Sequence, residues 1–205
     1  VDAGKTTLTE QLLYLSGEVR SAGKVDEGTA VTDWLGIERS RGISVKSSSA
    51  VLHVGEGKIN LIDTPGHVDF IGEVERCLSI LDGVILVLSA VEGIQAQTEV
   101  LWETLRRMKM PTVLFINKID RMGCDIEGLL KELQERFSDR ILCFSKAEGV
   151  GTRDCRVSLC SEKDTSFFDE LQLIAAETDQ DAQEQFERGT LGYPQALDAF
   201  LRQAK

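Results

Sequence analysis

Three short stretches carry side chains whose types and spacing could do chemistry: Gly4-Lys5-Thr6-Thr7, Asp63-Thr64-Pro65-Gly66-His67 and Asn117-Lys118-Ile119-Asp120. The first closes the pattern G-x-x-x-x-G-K-[ST], where backbone N–H groups and a helix dipole favour phosphate. Lys5 would reach the β- and γ-phosphates and the Thr6 hydroxyl would ligate Mg²⁺, with Asp2, Ala3 and Thr7 completing the contact stretch. In the second, an Asp63 carboxylate at a strand end can hold a Mg²⁺-bound water. Gly66 lets a backbone N–H approach a γ-phosphate with no Cβ in the way. In the third, Asp120 can accept two N–H bonds from guanine, at N1 and the exocyclic amine. Adenine has no matching donor pair, and a polar site left unpaired discriminates strongly. Lys118 can lay its alkyl stem over the base, and Asn117 can tie the base loop to the phosphate loop.

Each stretch also has an ordinary reading: G-K-T occurs by chance, the second is a strand-end turn and the third a helix start. Together, in this order and at the carboxyl ends of apolar strands where α/β sheets bind ligands, they point to a guanine nucleotide.

The elements that must position these residues follow from hydrophobic period. Apolar runs alternate with amphipathic stretches, the pattern of a mostly parallel sheet with helices on both faces, hence an α/β class. Helices are expected over 5–16, 68–82, 95–109 and 126–137, and strands over 45–54, 58–63, 84–89, 112–117 and near 141–144. The second strand should return on the first as an antiparallel hairpin through a turn at Glu56-Gly57-Lys58. Residues 17–44 read as a mobile polar loop and 145–165 as irregular. A single acidic amphipathic helix is expected over 166–188, with Phe167, Leu171, Ile174 and Ala175 on one face, and a shorter helix over 194–203.

Net charge is −11. Residues 161–205 hold ten acids and four bases, a net −6 that leaves −5 on the longer remainder. So acidic a chain is poorly suited to bind nucleic acid by counterion release; no DNA partner is expected, and RNA would be met locally or by parts outside this sequence. No run approaches the roughly 18 apolar residues of a membrane span. The five cysteines (77, 124, 143, 155, 160) form no C-x-x-C pair and there are two histidines, 53 and 67. That argues against zinc and fits a reducing, cytoplasmic setting. A monomer is expected.

At this point the residues become specific. VDAGKTTLTE, RGIS (41–44), DTPGHVDF (63–70) and NKID together resemble the translational GTPases, in the branch of elongation factor G, over residues 1–144. QAQT (95–98) and FINKID (115–120) are most similar to the tetracycline-resistance ribosomal-protection proteins. TDWLGIERSRGIS (32–44) is also similar to the GTPase class of peptide release factor. The resemblance implies a ribosome-stimulated GTPase that binds GTP and GDP, uses Mg²⁺, and engages the ribosome near its ribosomal RNA.

The resemblance makes Ser44 a Mg²⁺ ligand that closes the first switch, where most relatives carry Thr; Ser keeps the hydroxyl and loses the methyl. It makes His67 the residue that orients the attacking water. Val1 and Ile43 match the apolar pair that gates that histidine, though simple packing accounts for them equally. An elongation factor G-type translocase and a release-factor GTPase stand as alternatives. From another class comes a non-catalytic GTP-binding fragment.

The family pattern also implies a phosphate-loop GTPase domain that lacks its first, central strand, with 1–144 as the GTP-binding part. Residues 145–205 would be an acidic helical insert, ending before the family's Ser-Ala guanine loop. Ser145-Lys146-Ala147 is the nearest candidate for that loop. With the central strand outside this sequence, strands 58–63 and 84–89 should share no ladder.

Overall fold

The structure, a computed structural model, describes residues 3–23, 29–30, 47–65 and 71–203. They fall in two compact units, Val1–Asp82 and Gly83–Lys205.

In the first unit, helix α1 (Lys5–Leu15) starts from Gly4, whose φ of 92° lies in the left-handed region that a Cβ disfavours. The Gly4 carbonyl accepts the Leu8 N–H at 2.9 Å, so the chain turns into the helix within one residue. Thr9, Glu10 and Leu13 are buried, and α1 packs against a hairpin. That hairpin joins β1 (Ser48–Val54) to β2 (Gly57–Asp63), antiparallel from Ser48↔Asp63 to Val54↔Gly57. The hairpin is as expected; Val45 and Lys46 lie outside the described residues. Helix α2 spans Ile71–Leu78; of the expected 68–82, residues 68–70 lie outside the described residues and 79–82 are not helical. The chain turns after it, Ile80 N–H donating to the Cys77 carbonyl.

In the second unit, β3 (Val84–Ser89) and β4 (Thr112–Asn117) run parallel, in register from Val84↔Thr112 to Ser89↔Asn117. The crossover between them carries α3 (Ala96–Arg107), whose entry is fixed by the Gln95 N–H donating to Thr98 Oγ1. Alternation along the strands separates two faces. Leu88 and Leu114 pack with Trp102 of α3 and with Leu129, Leu133 and Phe137 in and just beyond α4 (Ile126–Arg136). The Trp102 and Phe137 rings stack at 4.8 Å. On the opposite face Ile85 is 46% and Val113 63% exposed. β2 pairs with β1 and β3 with β4.

The remainder of this unit corrects three expectations. Residues 141–144 form no strand; Leu142 and Phe144 are instead apolar anchors of a second core. The segment read as irregular contains a hairpin, β5 (Ser145–Glu148) with β6 (Arg156–Leu159), antiparallel. The single acidic helix is two, α5 (Thr165–Thr178) and α6 (Gln180–Glu187), broken at Asp179. Asp179 adopts φ −134°, ψ 123°, and its carboxylate accepts the Ala182 N–H at 3.0 Å. A residue that caps a new helix ends the old one. Helix α7 (Tyr193–Gln203) closes on this core, which centres on Leu171, Ala175 and Ala196.

Among the described residues no helix is long and apolar enough to cross a membrane, and no cluster of His, Cys, Asp and Glu is arranged to hold a metal ion by itself.

Candidate functional site

The expected site residues divide between the units. Ala3, Gly4, Lys5, Thr6, Thr7 and Asp63 belong to the first, and Asn117, Lys118 and Asp120 to the second. Val1, Asp2, Ile43, Ser44, Gly66 and His67 lie outside the described residues.

On the phosphate side, Lys5 and Thr6 occupy the first turn of α1, immediately after the left-handed Gly4. The first-turn N–H groups of a helix have no intrahelical acceptor, so this end offers donors and the positive pole of the dipole to an anion. Asp63 is the last residue of β2, 6% exposed. A buried carboxylate and a first-turn hydroxyl are hard oxygen donors, the set that suits Mg²⁺. Sequence reasoning missed Glu10. It sits one helical turn past Thr6, fully buried, with Oε2 accepting the Gly23 N–H at 2.9 Å. That bond ties the start of the long polar segment back to α1.

On the base side, Asn117 ends β4 and its carbonyl accepts the Ala90 N–H at 2.8 Å. Lys118 follows with φ 61°, a left-handed backbone on a residue with a Cβ. Its carbonyl accepts the Arg121 N–H at 3.1 Å, and its ammonium stands 3.6 Å from Glu92 Oε1. Glu92 is placed in turn by its own N–H on Ser89 Oγ and by Gln95 Nε2 at 3.0 Å on its carboxylate. Asp120 lies within this turn and is exposed. Glu92 was not foreseen; its only signal is a position three residues past the end of β3, among the loops at the carboxyl ends of parallel strands. Ser145-Lys146-Ala147 lies in β5, with Lys146 bonded to Asp164 ahead of α5.

On the base side the order strand, left-handed turn and helix is that of a nucleotide-binding α/β domain. The family described as the elongation factor Tu GTP binding domain matches residues 1–192. The chain belongs to this family. As an elongation factor Tu GTP binding domain it is a phosphate-loop GTPase fold, with mixed parallel and antiparallel strands.

Curated relatives of the domain include the tetracycline resistance protein TetP of Clostridium perfringens, 49% identical over 153 residues, 75% of this chain and 24% of that protein. The oxytetracycline resistance protein of Streptomyces rimosus is 46% identical over 180 residues, 87% of this chain and 27% of that one. The chain thus spans about a quarter of the length of these relatives. A crystal structure of a Thermus thermophilus protein superimposes with a TM-score of 0.86 at 27% identity, over 99% of this chain and 34% of that one.

Proposed function

We propose that this domain binds and hydrolyses GTP as the nucleotide module of a ribosome-associated translation factor, most similar to the tetracycline-resistance ribosomal-protection proteins. The observation that carries the reading is the Asn117–Asp120 turn at the carboxyl end of β4, held in an unusual backbone conformation by fixed neighbours. A loop built at that cost specifies something, and its carboxylate, amine and amide suit guanine. The tetracycline assignment rests on the relatives alone, which is an argument by analogy.

In this reading residues 1–144 are the GTP-binding part and 145–205 an acidic insert. Ala3 to Thr7 cradle the phosphates, with Asp2 beside them, and Lys5 carries charge to the β/γ bridge. Thr6, Asp63 and Ser44 would hold Mg²⁺, which when bound neutralises charge developing on the phosphates. Gly66 donates its N–H to the γ-phosphate. His67 orients the water that attacks in line, behind the apolar pair Val1 and Ile43, and the proton leaves with phosphate. Asn117 and Lys118 seat the base and Asp120 reads its N1 and amine.

The test is a titration of the full-length protein with fluorescent GDP and with an adenine analogue, followed by GTP turnover with and without ribosomes. Guanine-selective binding with ribosome-stimulated turnover is expected. Binding without turnover would leave a non-catalytic module, and equal binding of the adenine analogue would end the base-reading assignment. Expression in a sensitive cell should raise tetracycline tolerance; unchanged tolerance would favour a translocase or release-factor GTPase.

A further inference from the structure

The Asn117–Asp120 turn is held from two directions, and the second comes from the insert. Toward β3 the holds are the Ala90 N–H on the Asn117 carbonyl and the Glu92–Lys118 pair. On the other flank the Ile119 carbonyl accepts two donors. One is the Gly151 N–H at 2.8 Å and the other the Cys124 thiol at 3.2 Å. Gly151 lies in the β5–β6 turn, more than thirty residues along the chain. Its φ of 79° aims the N–H at Ile119, and the turn behind it is closed by Thr152, whose N–H and hydroxyl both donate to the Gly149 carbonyl. An added Cβ at Gly151 would lie 3.7 Å from the Arg121 carbonyl oxygen and 4.0 Å from Met122 Cα. A methyl therefore fits in space, and only the left-handed backbone demands glycine.

Ile119 sits between the two residues that would touch the base. Lys118 before it has a disfavoured backbone that persists only where the surroundings over-determine it. A carbonyl with two donors is such a surrounding: it fixes the Ile119–Asp120 peptide plane, while the Arg121 N–H on the Lys118 carbonyl fixes the plane before it.

We propose that Gly151 is a positioning residue for guanine recognition: the hairpin of the insert clasps the Ile119 carbonyl and so presets Lys118 and Asp120 for the base. This rests on the reading of residues 117–120 as the base-reading turn. Preorganisation of this kind acts on affinity, on dissociation rate and on discrimination between bases, because a loosened carboxylate no longer rewards the exocyclic amine. A hairpin that served only for folding would change stability and leave discrimination alone.

Gly189, in the turn between α6 and α7, provides a matched control, with φ 67° and nothing within 4 Å of an added Cβ. Gly151→Ala and Gly189→Ala carry the same backbone strain, but only the first disturbs the clasp. In the full-length protein, Gly151→Ala should weaken GDP about three- to tenfold, a lost hydrogen bond's worth, mainly through faster dissociation. It should also shrink the preference for GTP over inosine triphosphate, which lacks the amine, while Gly189→Ala leaves both within about twofold.

Equal behaviour of the two alanine variants, or unchanged discrimination in Gly151→Ala, overturns the proposal. Should Gly151→Ala fail to fold, Cys124→Ala and Cys124→Ser test the same carbonyl. Loss in the alanine variant with retention in the serine variant, which keeps a donor, supports the clasp; identical behaviour overturns it. Asp120→Asn is run alongside. If it leaves GDP binding unchanged, the base-reading assignment itself has failed, a result distinct from failure of the clasp.

Discussion

The start of α1 and the end of β4 are built in opposite ways. At α1 one left-handed glycine and a helix supply the geometry, and the donors are backbone groups that any sequence folding this way would present. At β4 the turn depends on side chains and backbone N–H groups from three other segments: Ala90–Glu92, Cys124 and Gly151. Local backbone form suffices to attract a phosphate, whereas reading a base requires a particular carboxylate in a particular place. Mutations should therefore act at α1 through the backbone and at β4 through individual side chains.

The largest effect is expected at Asp120. Asp120→Asn should weaken GTP by on the order of 10²–10³-fold and improve xanthosine triphosphate, whose extra carbonyl needs a donor. Competition titrations with the two nucleotides check it; unchanged GTP affinity would remove Asp120 from the site. His67→Ala should leave GTP affinity within a few-fold and lower ribosome-stimulated turnover by on the order of 10²-fold or more. Surviving turnover would make His67 structural. Third comes Gly4→Ala, which forces a Cβ into a left-handed position at a cost of about 1–2 kcal/mol. Thermal stability and the affinities for GTP and xanthosine triphosphate should fall together by about tenfold, since this end does not see the base. A change in their ratio would blur the distinction between the two ends.

The smallest effect lies within residues 145–205 and should leave both ends alone. The Lys146 ammonium, with the Ser161 N–H, holds the Asp164 carboxyl below the usual carboxylate range. Folding thus favours the ionised acid. That contribution is complete above the unfolded value of about 3.9 and fades as pH falls through the lowered folded value. Lys146→Met should flatten the acid limb of the stability curve below about pH 4 and change nothing near neutrality beyond the small worth of an exposed pair. Thermal melts from pH 2.5 to 7 read this directly; a parallel shift at all pH values would refute it.

The chemistry was legible because the motif residues are contiguous and sit at element ends that hydrophobic period locates well. β3 and β4 match their expected spans to the residue. What escaped is non-local or weakly patterned. Glu92, Cys124 and Gly151 belong to no motif, and their relation to the turn exists only after folding. β5 and β6 are four residues each and largely exposed, so no alternation of apolar and polar residues announces them. The run Ile141–Phe144 looks like a buried strand, but a short apolar run has no period that separates a strand from an extended anchor. Asp179 interrupts α5 and α6 where apolar spacing carries on across the break, so only its capping preference betrayed it.

The crossover between β3 and β4 has a kinetic consequence. Residues 90–111 must be closed into a loop before the first parallel bond can form. The helices α5, α6 and α7 are separated by one residue and then by five. Closure entropy grows with the logarithm of loop length, and contacts between sequence neighbours form earliest. Helices α5 to α7 should therefore acquire protected amides while β3 and β4 still exchange freely. Pulse-labelled hydrogen exchange during refolding would show it, with Leu171 and Ala175 protected before Leu88 and Leu114.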